Sequence, residues 1–197
     1  HFLLGGNFAV VRCFIFLLRK EFLTMKSKIK AHTLNILNGM AIGIIVALVP
    51  GAILNAIIKP LLPHAPFLSF VLVLTSLSAM ILPATSAVCV GMLAKFTPIQ
   101  TASLALAATI GAGNAHVVNG TITANGSGNV LNIGITIAIA YILIIFLGKK
   151  LKDLTILLLP TLTMLIGGGI GMLTLKPVNQ FTMAIGLGIE RITGLQP

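Results

Sequence analysis

The chain has 197 residues, of which 57% are hydrophobic and 8% are charged, and its formal net charge is +10. Soluble domains carry roughly 25% charged residues, so this composition excludes a water-soluble globular protein and indicates one that lies in a membrane. The basic excess does not predict a nucleic-acid partner, because no aromatic residues are interleaved with the lysines.

Five segments are apolar enough to be membrane spans. A helix needs about 20 apolar residues to cross the hydrocarbon core, and continuous apolar runs favour helices over the alternating strands of a barrel. We therefore predict an all-α fold, a polytopic transmembrane helical bundle of about five to six spans with the option of a re-entrant segment. The predicted spans are Leu34–Ile58, Phe67–Ala94, Pro98–Ala112, Val130–Leu147 and Leu154–Leu175.

Lysines are concentrated at one end of these spans. Only Lys59 and Lys176 lie at the opposite ends, and the positive-inside rule therefore predicts that the lysine-rich ends are cytoplasmic. By the same alternation, the segment between the third and fourth spans begins on the outer side or dips in from it. Anionic lipid headgroups are the expected partners of the basic residues. The lysines at the cytoplasmic ends are Lys26, Lys28, Lys30, Lys95, Lys149, Lys150 and Lys152.

A polar stretch without charge separates the third span from the fourth. It runs from Gly113 to Asn129 and contains four Asn, four Gly, one His, two Thr and one Ser. Such residues favour turns over continuous helix, so we expect either two short helices with a re-entrant tip or an external loop. An uncharged hydrogen-bonding surface next to apolar spans suits a neutral polyol or sugar. His116 is interpreted either as a structural hydrogen-bonding residue or as a proton carrier.

Proline and glycine interrupt the predicted spans at defined positions. Pro50 and Pro83 lie in the middle of the first and second spans, where each is expected to kink or break the helix. Such breaks either expose backbone groups to a substrate or are repaired by neighbouring helices. The GxxxG pairs Gly39/Gly43 and Gly167/Gly171 predict close helix packing, and the triple glycine offers local unwinding as an alternative.

Amides and one acid within the apolar segments are candidate site residues. Asn38 shares a helix face with Asn35 near the start of the first span, and Asn55 lies near its end. These amides are expected to face either neighbouring helices or a polar substrate path. Glu190 lies beside Arg191 in an apolar run, so it is either a functional acid within the membrane or half of an interfacial charge pair.

The sequence predicts no catalytic centre and no bound cofactor. It contains no nucleotide-binding loop, no paired catalytic carboxylates and no Ser/His/Asp set. Cys13 and Cys89 provide neither a disulfide framework nor a metal site. Residues 1–24 are expected to be an N-terminal extension, and residues 25–197 a transmembrane domain. The apolar run Phe181–Leu195, close to the last residue, suggests a chain that stops before its next span.

Three segments resemble a known family. They are the run from Met25 to Asn55, FTPIQTASLALAATIGAGNAHVVNG from Phe96 to Gly120, and LLLPTLTMLIGGGIGMLTL from Leu157 to Leu175. Together they resemble the EIIC-like membrane subunits of bacterial phosphotransferase systems, in the toxin-regulator (PfoR-like) branch. Family members are longer, so the resemblance identifies residues 25–197 as similar to an N-terminal portion.

The resemblance implies a multi-pass permease of the bacterial inner membrane that binds and translocates a sugar or sugar-like solute. Cytoplasmic phosphotransferase subunits would phosphorylate the solute, and a homodimer or further spans would complete the pathway. A solute-sensing membrane regulator without transport, or an inactive permease fragment, are the alternatives. Gly188-Ile189-Glu190 departs from the glucose-type Gly-Ile-Thr-Glu motif, because it lacks the Thr. The predicted solute contacts are Asn38, Asn114, His116, Asn119 and Glu190.

Overall fold

The computed structural model describes residues 5–118, 121–124, 126–148 and 155–193 of the chain, and within these ranges it describes side chains from residue 29 onward except at 116–118, 122 and 192. Contacts divide the chain into two compact units, His1–Asn35 and Ile36–Pro197, and all tertiary contacts below lie within the second unit. The residues predicted to form an N-terminal extension are helical from Gly5 on. The helices in the described residues are α1 (Gly5–Leu61), α2 (Ser69–Met80), α3 (Leu82–Leu93), α4 (Pro98–Gly111), α5 (Val130–Gly148), α6 (Thr155–Leu162) and α7 (Gly169–Thr193).

The predicted all-α membrane fold is confirmed, with fewer full-length spans than expected. Within the described residues, Ile29–Leu61, Val130–Gly148 and Thr155–Arg191 are long and apolar enough to cross a membrane, and α2 with α3 provides a fourth span if the bent pair counts as one. Helix α4 has 14 residues, about 21 Å of helix against a hydrocarbon core of about 30 Å. The run after Phe181 is no separate span, because α7 continues through it to Thr193.

Small residues at every fourth position of α1 form its contact face. A side-chain β-carbon added to Gly39 would lie 2.5 Å from Val90 Cα of α3, and one added to Gly43 would lie 2.6 Å from Ser86 N. Ala47 is buried, and its carbonyl accepts a hydrogen bond from Ser78 Oγ at 2.9 Å. The GxxxG prediction of close helix packing is therefore confirmed for Gly39 and Gly43.

The second predicted span is broken at the proline, as expected. Helices α2 and α3 meet at Ile81 with a bend of 48°, and Pro83 lies in the first turn of α3. A proline is tolerated there because its missing N–H would have no intrahelical acceptor. Pro50, in contrast, lies inside the uninterrupted helix α1. Near the end of α1, Asn55 Oδ1 accepts from Thr75 Oγ1 of α2 at 2.9 Å, which confirms interhelical bonding for this amide.

Helix α3 ends in a Schellman motif that contains a lysine where glycine is usual. The Phe96 N–H donates to Gly91 O at 2.9 Å and the Lys95 N–H donates to Met92 O at 3.1 Å. Lys95 has a φ of 58°, a left-handed conformation that costs an L-residue roughly 1–2 kcal/mol. Only glycine adopts it without that cost.

Replacing Lys95 with glycine is expected to raise the free energy of unfolding by about 0.5–1 kcal/mol, because the left-handed backbone is retained without a β-carbon. Lys95→Ala is the matched control, since it removes the same charge but retains the strain. Thermal unfolding in detergent would compare the two variants. Equal unfolding temperatures would show that the charge, and not the backbone, determines the effect.

Helices α4, α5 and the α6–α7 segment enclose the buried core. Phe96 packs against the buried Tyr141 with ring centroids 4.9 Å apart. Between α6 and α7 the chain forms a π-helix, Thr163–Gly168, in which Gly167 and Gly168 are buried. Both alternatives for the triple glycine therefore apply, since the helix is wound differently there and also packs closely. The core side chains include Leu104, Ala107, Ala108, Ile133, Ile137, Ala140, Ile144 and Leu159.

The polar stretch contains a β-hairpin and not the two short helices considered from its sequence. Strand β1 (Ala115–Val118) pairs antiparallel with β2 (Thr121–Ala124), and His116 lies opposite Thr123. Alternating polar and β-branched residues favour this pairing over helix. The hairpin lies between α4 and α5, the two helices that pack on each other at its base.

Candidate functional site

The two ends of the polar stretch meet where α4 ends and α5 begins. Asn129 N–H donates to Ala112 O at 3.0 Å, which closes the loop at its base. Gly113 and Gly128 have φ values of 69° and 74°. A β-carbon at Gly128 would lie 2.5 Å from Ala112 O. Glycine is therefore required for both the conformation and the space at this junction.

Asn129 connects the polar stretch to α7. Its Oδ1 accepts from the backbone N–H groups of Leu131 at 3.0 Å and Asn132 at 3.2 Å, so it caps α5. Because those backbone groups can only donate, the Nδ2 of Asn129 points the other way. It donates to Asn179 Oδ1 at 2.7 Å and to Thr182 Oγ1 at 3.2 Å, both on α7.

A groove of about 490 Å³ lies along this connection. Amides and a hydroxyl provide donors and acceptors, while leucine and valine provide apolar surface, and none of the lining side chains that the structure describes is charged. This combination is suited to a neutral molecule that has both hydroxyls and C–H faces. Among the described residues, its lining provides no carboxylate, imidazole or thiolate for acid–base, nucleophilic or metal chemistry. The lining residues are Gly113, Gly128, Asn129, Val130, Leu131, Leu175, Asn179 and Thr182.

The sequence predicted the residues of the polar stretch that line this groove but not the lining residues of α7. Gly113 and Asn129 are the ends of the predicted polar stretch. Asn179 and Thr182 were not selected, although they are three residues apart on one helix and so share a face. Their role depends on an approach between residues 50 or more positions apart, which hydropathy does not reveal.

Asn114 is the best-defined of the predicted solute contacts, and it is 4% exposed. Its Nδ2 donates to Met80 O, at the end of α2, at 3.0 Å. The predicted polar residue therefore contacts the backbone at the break between α2 and α3. Asn114 does not line the groove, but it fixes the start of the polar stretch next to Gly113.

Replacing Asn114 with leucine is expected to lower the free energy of unfolding by about 1–3 kcal/mol, because Met80 O then lacks its side-chain donor in a partly buried site. Ser76→Ala on α2 is the control, since the Ser76 hydroxyl is exposed and bonds only its own helix at Leu72 O. Thermal or denaturant unfolding in detergent measures both variants. A stability for Asn114→Leu equal to that of Ser76→Ala would contradict a structural role for the amide.

The other predicted contacts lie apart from the groove or outside the described residues. Asn119 is among the residues that the structure does not describe, and for His116 it gives only the position in β1. Asn38 is exposed on α1 and does not line the groove. Glu190 is exposed on α7, eleven residues beyond Asn179 and so about 16 Å further along the helix. Solute contact by these four residues stays a prediction.

Apolar helices extend past the level of the groove. Helix α2 runs about 18 Å from Met80 back to Ser69, with Phe70, Val73 and Leu77 exposed. Helix α7 continues past Thr182 with further exposed apolar side chains, Met183, Ile185, Leu187 and Ile189. The contact of the polar stretch with Met80 therefore lies at the break within the bent α2–α3 pair, and its contacts with Asn179 and Thr182 lie partway along α7.

Comparison with known proteins identifies the family. The family described as "Phosphotransferase system, EIIC" matches residues 34–197, which is most of the chain. No curated protein and no solved structure matches the chain. The matched range includes every groove residue and all the helices from α2 to α7. The chain is thus an integral membrane protein that belongs to the EIIC family, the permease-type transport subunits of the phosphotransferase system.

Proposed function

We propose that this chain binds a sugar or sugar-like solute in the groove and translocates it as the permease of a phosphoenolpyruvate-dependent phosphotransferase system. The observation that carries the proposal is the groove between the polar stretch and α7, whose described lining is uncharged and where the amide of Asn129 donates to the amide of Asn179 and to the hydroxyl of Thr182. Sugars present hydroxyls at their edges and C–H groups on their faces, which match these amides and the apolar Leu175.

The absence of charge among the lining residues in the described ranges favours a neutral solute. A carboxylate or phosphate on the solute would need a cationic partner or a helix N-terminus to offset its desolvation. The N-terminus of α5 is already capped by Asn129. Phosphorylation would therefore follow binding and be performed by cytoplasmic phosphotransferase subunits, which is the order that the family resemblance implies.

We place the polar stretch as a re-entrant segment and not as an external loop. Support comes from the contact of Asn114 with Met80, at the middle of the bent α2–α3 pair, and from the apolar surfaces of α2 and α7 beyond it. The left-handed residue Lys95 lies at the opposite end of α3, which the lysine distribution assigns to the cytoplasm. The groove then opens toward the outer side, in the inner membrane of a bacterium.

Other parts of the proposal rest on the resemblance alone. We assign the chain to the toxin-regulator (PfoR-like) branch, and we expect it to function as a homodimer.

The test is a ligand screen of the purified chain in detergent, followed by flux. A solute that binds only the folded state raises stability by about 2.7 kcal/mol at a hundredfold excess over Kd. D-glucose, D-mannose, D-galactose, D-mannitol and N-acetyl-D-glucosamine form the panel, with gluconate as the charged comparison. We expect one of the neutral solutes to raise the unfolding temperature selectively and gluconate to leave it unchanged.

Vesicles that contain the chain then separate transport from sensing. Uptake that requires phosphoenolpyruvate and the soluble phosphotransferase proteins supports the permease. Binding without uptake under those conditions favours a solute-sensing regulator, and the absence of any shift from a folded protein contradicts the proposed site.

A further inference from the structure

Asn132 connects the helices that form the groove but does not line it. The residue lies on α5, one turn after the cap Asn129, and its side chain is fully buried. Its Nδ2 donates to Gly111 O of α4 and, at 2.8 Å, to Gly171 O of α7. Its Oδ1 accepts from Thr174 Oγ1 of α7 at 2.8 Å. One amide on α5 thus contacts two other helices, α4 and α7.

The hydrogen bonds of Asn132 have a fixed orientation. Both carbonyls can only accept, so the Nδ2 must face them and the Oδ1 must face the Thr174 hydroxyl. Gly111 O is one of the last carbonyls of α4 and has no donor within its own helix. A donor for this carbonyl is needed because water is absent from the apolar interior.

Each partner of Asn132 is close in sequence to a wall of the groove. Gly111 precedes Gly113 by two residues, Thr174 precedes Leu175 by one, and Asn129 is three residues before Asn132 itself. The same region is closely packed, since a β-carbon at Gly171 would lie 2.8 Å from Gly111 Cα. The separation of α4, α5 and α7 at this level therefore sets the width of the groove.

We propose that Asn132 is the positioning residue of the groove, which holds α7 at a fixed distance from the polar stretch and so determines which solutes fit. The expected effect on solute binding rests on the proposed function. The expected effect on helix spacing does not, because the spacing of α4 and α7 is a property of the protein without solute.

A residue that only stabilised the fold would produce different measurable effects when it is replaced. Its loss would lower the unfolding temperature but would leave the folded molecules with the same helix spacing and the same preference among solutes. Ser103→Ala is the matched control for that case. The Ser103 side chain is buried on α4, and its hydroxyl bonds only its own helix, at Ile99 O.

The geometric test measures the distance between nitroxide labels on α4 and α7. Thr109 and Gln180 are exposed and do not line the groove, so both would be changed to cysteine in a chain with Cys13→Ala and Cys89→Ala. We expect Asn132→Leu to shift or broaden the distance distribution of the folded protein, and Ser103→Ala to leave it unchanged. Thr174→Val removes one of the three contacts and should produce a smaller change in the same direction. This milder variant keeps the test decisive if Asn132→Leu does not fold.

The binding test uses the panel member that raises the unfolding temperature of the parent protein most. We expect Asn132→Asp or Thr174→Val to weaken it about tenfold, which corresponds to about 1.4 kcal/mol, and to change the ratio of affinities for D-glucose and D-mannose. Unchanged distances together with an unchanged ratio, at a lowered unfolding temperature, would overturn the positioning role. If the parent binds no member of the panel, the proposed function fails, and the distance measurement still decides the role of Asn132.

Discussion

Replacing Gly43 with alanine is expected to lower the free energy of unfolding by about 1–3 kcal/mol, the usual cost of forcing extra volume into a packed interface. The added β-carbon would lie 2.6 Å from the backbone nitrogen of Ser86 on α3 and 2.7 Å from Ser86 Oγ. A flexible side chain can rotate away, whereas the α3 backbone cannot, so α1 and α3 must separate. That separation disrupts the contacts that α1 makes at every fourth residue from Gly39 to Gly51.

Gly186→Ala is the matched control for this experiment. Gly186 lies in α7, and a β-carbon added there would have no neighbouring atom within 4 Å among the described residues. The same substitution should therefore be neutral or stabilising there, because alanine is favoured over glycine in a helix by about 1 kcal/mol. Thermal unfolding and denaturant titration in detergent give the comparison. Equal stabilities for the two variants would mean that α1 does not pack on α3 as described.

Much of the helical framework follows from local chemistry and was therefore predictable. The fourth predicted span, Val130–Leu147, differs from α5 by one residue, because hydropathy changes sharply at both ends. The break near Pro83 follows from its missing N–H. Pro177 shows the limit of that argument, since α7 continues through it. Neighbouring groups can donate to the carbonyl that loses its N–H partner because of such a proline, and a sequence does not identify those groups.

The candidate site was only partly predictable, because its contacts join residues distant in sequence. The criterion that selected Asn38, an amide in an apolar span, applies equally to Asn132. The structure separates the two, since Asn132 is buried with partners on α4 and α7 whereas Asn38 is exposed. A single sequence reports that an amide needs partners but not which helix provides them.

Replacing Asn179 with alanine is expected to weaken solute binding at least about tenfold while the protein stays folded. Asn179 Oδ1 accepts from Asn129 Nδ2, and in the described part of the chain no group accepts from Asn179 Nδ2. Its amide protons are therefore suited to a solute hydroxyl. Because the side chain is exposed along the groove, its loss should change stability by less than about 0.5 kcal/mol.

Gln180→Ala is the control, since Gln180 is equally exposed on α7 but about 100° further around the helix and absent from the groove lining. Isothermal titration with the best panel member would measure both variants, and Thr182→Val would repeat the test at the other α7 contact. Equal affinities for Asn179→Ala and Gln180→Ala would move the binding site away from α7. A loss confined to Asn179→Ala and Thr182→Val would assign solute recognition to the face of α7 that meets Asn129, because those two side chains share that face and Gln180 does not.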